Sequence, residues 1–130
     1  MSLESAREAH VRRLGGEHPD WWLKIVPEPG GSPAGVIGIW DSKWEGERVD
    51  EAGWMVLPAF RGRGIATQAL ALLLERARSE PRIKAVHAFP NVENEASNAL
   101  CRRAGFELVG DAEIEFRDRP MRCNHWVVEV

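Results

Sequence analysis

The chain has no tyrosine, so no phenol can act as a general acid; its aromatic content rests on six tryptophans and four phenylalanines. Cysteine is scarce as well. Cys101 and Cys123 stand far apart with no CxxC spacing, which argues against a disulfide framework and against a thiolate zinc site. The four histidines, His10, His18, His87 and His125, are scattered and form no HExxH pair, so no metal is expected. No apolar run approaches the ~20 residues that span a bilayer, and no basic leader with an apolar core opens the chain. A soluble, cytoplasmic protein with no membrane partner is the expectation. A net charge of -3 gives no general pull toward nucleic acid. A nucleic-acid reading through Arg61, Arg63, Arg102 and Arg103 finds no recognition motif, and no such partner is expected.

What is present fits one domain over residues 1–130: an apolar fraction of 44% among well-mixed charges, with no internal repeat and no low-complexity linker. Residues 4–14 place Ala6, Ala9, Val11 and Leu14 among charged residues and read as a short amphipathic helix ended by Gly15-Gly16. Residues 20–26 and 34–40 read as an antiparallel hairpin around the Gly30-Gly31 turn, with 41–47 as a polar connection at the solvent face. Residues 48–57 form a third strand, stopped by Pro58. Residues 65–78 carry the strongest helical pattern in the chain. A strand at 83–89, a helix at 94–103 closed by Gly105, and strands at 106–116 and 121–130 complete the order. A strand–helix–strand crossover among mostly antiparallel neighbours predicts an α+β fold, with helices covering a mixed sheet.

The segment from Pro58 to Ala66 joins the third strand to the long helix and contains Arg61-Gly62-Arg63-Gly64-Ile65-Ala66. The first N–H groups of a helix have no intrahelical partner, and the helix dipole adds positive potential there. Glycine permits left-handed conformations and close approach of a ligand to the backbone. Such a turn suits a phosphate, with Arg61 and Arg63 as further donors. It lacks the Lys-Ser or Lys-Thr of a P-loop and the three glycines of a dinucleotide fingerprint. On physical grounds a phosphate site and an ordinary flexible turn both remain open.

The same hexapeptide resembles the Arg/Gln-x-x-Gly-x-Gly/Ala signature of the GNAT superfamily of acetyl-CoA-dependent N-acetyltransferases. A second stretch, Asn94-Glu95-Ala96-Ser97-Asn98 through Gly105-Phe106, resembles the Asn-x-x-Ser…Gly-Phe helix of the branch that acetylates ribosomal-protein amino termini. In element order the resemblance covers residues 20–130, while its specific motifs lie within 58–106. It implies a GNAT-like acyl-CoA N-acyltransferase fold with a shortened amino-terminal region, because relatives carry a strand and two helices before the hairpin. It also implies acetyl-CoA as acyl donor. The pyrophosphate would meet the amides of Arg61, Gly62, Arg63, Gly64, Ile65 and Ala66. The pantetheine arm would lie between two diverging strands, along Trp54, Met55, Val56 and Leu57 and near Asn94. An amide near Met55 or Val56 would stabilise the oxyanion. Asn94 has a second reading, as the cap of its own helix.

Transfer to an amine also needs an acceptor for the amine's proton. Strand alternation sets Glu51, Gly53 and Met55 on one face and Asp50, Ala52, Trp54 and Val56 on the other. Glu51 is the first candidate base; it also reads as a wet strand end. Asp50 shares that ambiguity, and Glu47 lies nearer the loop. Ser97 is the candidate for assisting the leaving thiolate, ahead of Cys101, which stands where relatives place tyrosine and which reads better as core. His87 and Phe89 occupy a strand on which relatives often carry glutamate, so acid/base roles do not transfer directly. Trp44, in the polar connection, is the candidate for acceptor specificity. The acceptor expected is a primary amine, either small or a protein amino terminus, in a groove that a homodimer could complete. The competing reading is a catalytically weak CoA-binding or regulatory module.

Overall fold

The computed structural model describes residues 1–13 and 16–130, with side chains outside 7–17. Seven strands form one sheet in the order β1-β2-β3-β4-β5-β7-β6. They are β1 (Ser2–Arg13), β2 (Gly16–Val26), β3 (Gly35–Trp44), β4 (Glu47–Val56), β5 (Ala85–Ala88), β6 (Glu107–Phe116) and β7 (Arg119–Glu129). Helix α1 (Ile65–Arg78) is the crossover between β4 and β5, and helix α2 (Glu95–Arg103) follows β5. Every neighbouring pair is antiparallel except β4 and β5. This is the mixed, mostly antiparallel sheet that the crossover pattern predicts.

The first element departs from the reading of the sequence. Residues 2–13 form a strand, not a helix, and pair with β2 from Ser2↔Val26 to Arg13↔Gly16. Of the Gly15-Gly16 pair expected to end the helix, Gly15 lies outside the described residues, as does Leu14, and Gly16 opens β2. Sparse small apolar residues fit a period of 2 or 3.6 equally badly, so the free edge of the Trp-rich β2 decides. It supplies a ladder of hydrogen bonds that an isolated polar helix of this length cannot match. Among the described residues no helix precedes β2.

Residues 41–44 also belong to β3, which runs on to Trp44. The reversal is a two-residue turn at Glu45 and Gly46, with φ of 49° and 79°. Two left-handed residues in succession match the twist of a tight hairpin. Arg117 and Asp118, at φ 51° and 61°, make the same kind of turn between β6 and β7.

Both helices bury their apolar stripes in one cluster. Ala69, Leu70, Leu73 and Ala77 of α1 and Leu100 and Cys101 of α2 meet Ile37, Ile39, Ala52, Val86 and Trp126 of the sheet. The alternate strand positions, including Trp22, Trp40, Glu51 and His87, point to the other face, and among the described residues neither α-helix covers it. On that face Trp22 and Trp40 stack at 4.8 Å and 6°. Gly53 lies directly beneath Trp40: a Cβ there would sit 2.5 Å from the indole.

Candidate active site

The site begins where β4 and β5 part. Their ladder is a single parallel register pair, Glu51↔His87. Beyond it β4 continues to Val56 with β3 as its partner on the other side. The Leu57 N–H donates to the Ala34 carbonyl at 2.7 Å, which fixes the phase of the β3–β4 ladder. Antiparallel pairs alternate between hydrogen-bonded and non-hydrogen-bonded, so Gly53 and Met55 direct their N–H groups to β3. Trp54 and Val56 direct theirs into the gap. The gap therefore has a strand edge available for pairing, bounded at its vertex by Glu51 and His87.

At the wide end of the gap the chain turns through a short 3-10 segment, Pro58–Phe60, into α1. Gly62 and Gly64 are both left-handed, at φ 79° and 72°, and a Cβ on either would meet nothing within 4 Å. Space is open there, so glycine is needed for the backbone conformation and keeps the approach clear. Gly64 is the N-cap of α1 with no side-chain capping bond, and the first turn holds no acidic residue. The first helical bond is Gln68 N–H to Gly64 O at 3.1 Å. The Ile65, Ala66 and Thr67 N–H groups are thus the orphan donors of a 14-residue helix.

A groove of about 640 Å³ opens on these groups. Of the residues expected to hold a cofactor, Trp54, Met55, Val56, Arg61, Gly62, Gly64, Ile65, Ala66 and Asn94 line it; Leu57 and Arg63 do not. Arg61 folds back, its Nε donating to the Val56 carbonyl at 3.2 Å, and the Arg63 guanidinium lies 5.7 Å from the centre of the Phe60 ring. The sequence reading missed Phe60, Thr67 and Arg103. Arg103 of α2 reaches Thr67 of α1 at 3.4 Å and brings a cation to the groove mouth from the far side. It stands 36 residues from Thr67 in the chain and so left no local signal.

Asn94 fills both of its expected places. Its Oδ1 accepts the Ser97 N–H at 3.0 Å, which makes it the N-cap of α2, and it lines the groove. Ser97 lines the groove too, its hydroxyl accepting the Trp54 Nε1–H at 3.2 Å. Behind it lies an unforeseen hub. The Oδ1 of buried Asn98 accepts from Trp126 Nε1 at 2.8 Å and from Asn124 Nδ2 at 2.9 Å. Its Nδ2 donates to the carbonyls of Asn91 at 3.0 Å and Asn94 at 2.8 Å. These four bonds tie α2 to β7 and to the loop that presents Asn94.

Cys101 faces the core, where burial pushes its thiol up to about 12. Cys123 is buried as well and is raised by burial and by the Glu51 charge. Both thiols should stay protonated and shielded near neutral pH. Titration with an aromatic disulfide at about pH 8 should find no fast-reacting thiol in the native protein and two after denaturation.

Glu51 lies half-buried on the open face; burial raises its carboxyl above the ordinary value, partly offset by a Ser42 hydrogen bond. Asp50, buried on the helix face, pairs with the more exposed Arg48 at 2.5 Å and with buried His18 at 3.2 Å. Glu47 is exposed beside the Glu45–Gly46 turn. Trp44 is not in a solvent connection. As the last residue of β3 it packs 5.1 Å from the rings of both Phe89 and His125.

A parallel pair splayed beyond one bridge, with an uncapped glycine-led helix start at its mouth, is the arrangement that the two sequence motifs imply. The acetyltransferase (GNAT) domain model matches residues 2–107. The chain belongs to the GNAT acetyltransferase family. Among solved GNAT structures it is similar to the ribosomal-protein-alanine N-acetyltransferase of Brucella melitensis. Identity there is 27% and the TM-score 0.72, over 85% of this chain and 69% of that one. It is also similar in fold to the ribosomal-protein-S5-alanine acetyltransferase of Vibrio fischeri, with 13% identity, TM-score 0.73 and coverage of 85% and 61%. A ribosomal L7/L12 alpha-N-protein acetyltransferase solved with coenzyme A is 22% identical, with TM-score 0.71 and coverage of 85% and 62%. The chain thus spans less than two thirds of the length of the latter two. No curated protein matches it in sequence.

Proposed function

We infer that this GNAT domain transfers an acetyl group from acetyl-CoA to a primary amine, such as a protein amino terminus, by direct attack in a ternary complex. The observation that carries the reading is the uncapped start of α1, opened by left-handed Gly62 and Gly64 onto the gap between β4 and β5. Orphan amides and a helix dipole suit the pyrophosphate. The free β4 edge suits the amide-bearing pantetheine arm, which can add to it as a partial strand. A protein with this fold was solved in complex with coenzyme A, which supports a coenzyme A donor.

We assign the oxyanion donor to the Val56 N–H instead of that of Met55, because the ladder turns Met55 toward β3. Glu51, at the vertex, takes the amine's proton, and Ser97 steadies the departing sulfur through its hydroxyl or a water. Much of the rate advantage comes from holding amine and thioester together.

Calorimetric titration with acetyl-CoA, CoA and a nucleotide lacking the pantetheine arm tests the donor. Binding of the first two and not the third is expected, and no binding by any would overturn the reading. CoA bound without acceptor-dependent thiol release, over a panel of amino-terminal peptides and small amines, would leave a CoA-binding module. Gly64→Val should weaken CoA binding by about tenfold by blocking the anion's approach. Its cost in folding should be only the ~1–2 kcal/mol of a left-handed residue, since its side chain meets no protein atom. An equal loss of both would reduce the turn to a structural feature.

A further inference from the structure

The open face of the sheet holds a paired set of titratable rings that the reaction outlined above does not use. His87 Nδ1 and His125 Nε2 are 2.8 Å apart. One proton must lie between them, so one ring donates and the other accepts. Phe89 stacks on His125 at 4.5 Å and Trp44 meets it edge-on at 5.1 Å, so the pair is clamped by aromatic rings. His125 is buried, whereas His87 retains partial exposure. Most telling is the register: His87 stands directly beside Glu51, in the one pair that joins β4 to β5, at the vertex of the gap. Side chains paired in this way share a face, on strands about 4.8 Å apart.

We propose that His87, oriented by His125, is a proton relay behind Glu51. Glu51 takes the proton of the attacking amine and passes it to His87 Nε2. His125 accepts the Nδ1–H of His87 and so fixes the tautomer whose Nε2 is bare. His87 and His125 are positioning residues in this scheme, since only Glu51 meets the amine. The relay rests on the acyl-transfer reading. As the amine nitrogen bonds to the thioester carbon, the carbon–sulfur bond breaks. The nitrogen's proton leaves through Glu51 and His87 to water, and the departing thiolate takes one proton from solvent near Ser97.

The surroundings suit this task. Burial, then the neighbouring His125, depress His87 below the ordinary imidazole value, while Asp50 on β4 acts in the opposite sense. Burial depresses His125. On β7 the Cys123 thiol stays protonated. Both rings are therefore neutral near pH 7, and His87 can accept. Burial moves Glu51 up while His87 moves down, which brings donor and acceptor closer in proton affinity, as efficient transfer requires.

The test starts with nitrogen-15 imidazole spectra of the intact protein from about pH 5 to pH 8, where imidazole titrates. They should show His87 protonated at Nδ1 and bare at Nε2, with both rings titrating below 6.5. The opposite tautomer at His87 overturns the relay. In steady-state assays His87→Gln should lower kcat by about 30-fold with little change in the KM for acetyl-CoA. His125→Phe should lower it by about tenfold, and His125→Gln, whose amide oxygen can accept the same hydrogen bond, should recover most of that. Activity of His87→Gln within about twofold of the parent, with the acid limb of the pH profile unmoved, would also overturn it. A protein that binds no CoA at all sinks the acyl-transfer reading and the relay together. CoA binding with turnover but the wrong tautomer sinks the relay alone.

Discussion

Replacing Glu51 by glutamine should lower kcat by about 10²-fold and leave the affinity for acetyl-CoA nearly unchanged. Glu51 stands at the vertex of the β4–β5 gap, and the groove proposed to take the cofactor opens beyond it. Only the ionised form can take a proton. Burial holds the carboxyl above its ordinary 4.5, so the limb of the pH profile due to Glu51 should have its midpoint above 4.5 and vanish in the variant. Stability should move the other way. A carboxyl raised in the folded state makes folding less favourable as pH rises through its folded value and has no such cost below its unfolded value. Glu51→Gln should therefore be at least as stable as the parent at about pH 8, an advantage that fades toward about pH 4. The Ser42 hydrogen bond survives, because the glutamine oxygen still accepts it. Denaturant titration at the two pH values separates the readings. A variant that loses activity and stability in parallel would make Glu51 a structural residue.

Replacing Asn98 by leucine should destabilise the protein by about 3 kcal/mol. The largest part is the Trp126 indole N–H, in a side chain only 2% exposed, which would lose its partner with no access to water. Asn91 and Asn124 are only partly buried and can rehydrate, so the four lost bonds should not add at full value. A double-mutant cycle checks the assignment. Trp126→Phe removes the stranded donor, so the pair of changes should cost less than the sum of the two by about 1–2 kcal/mol. Strict additivity would contradict it. The loss should reach the groove, because Asn98 holds both the Asn94 carbonyl and the start of α2, from which Ser97 meets Trp54.

Strong local signals were legible without a structure. Helix α1 is read at its observed bounds, because its apolar stripe is long and a proline on each side limits it. The Gly62 and Gly64 turn is legible because left-handed backbone has a chemical signature in sequence. Asn94 is legible as a cap for a similar reason, its oxygen lying three residues before the amide it binds. Residues 4–13, expected as part of a helix, lie in β1: their composition favours no period, and only the free edge of β2 decides between helix and strand. Trp44 was misplaced because the polar residues around it resemble a loop when their strand partners in β4 are unknown.

The sequence by itself determined the family, the order of elements from β2 onward and the turn that suits a phosphate. Each rests on residues close together in the chain, where dihedral preference and hydrophobic period act. The tertiary structure alone decided which groups face the gap. Glu51 stands in register with His87 across a crossover, His87 meets His125 across an antiparallel ladder, and Asn98 gathers Trp126 and Asn124 from the far end of the chain. Such meetings depend on strand order and register, where a shift of one residue would turn the strand side chains among them to the opposite face.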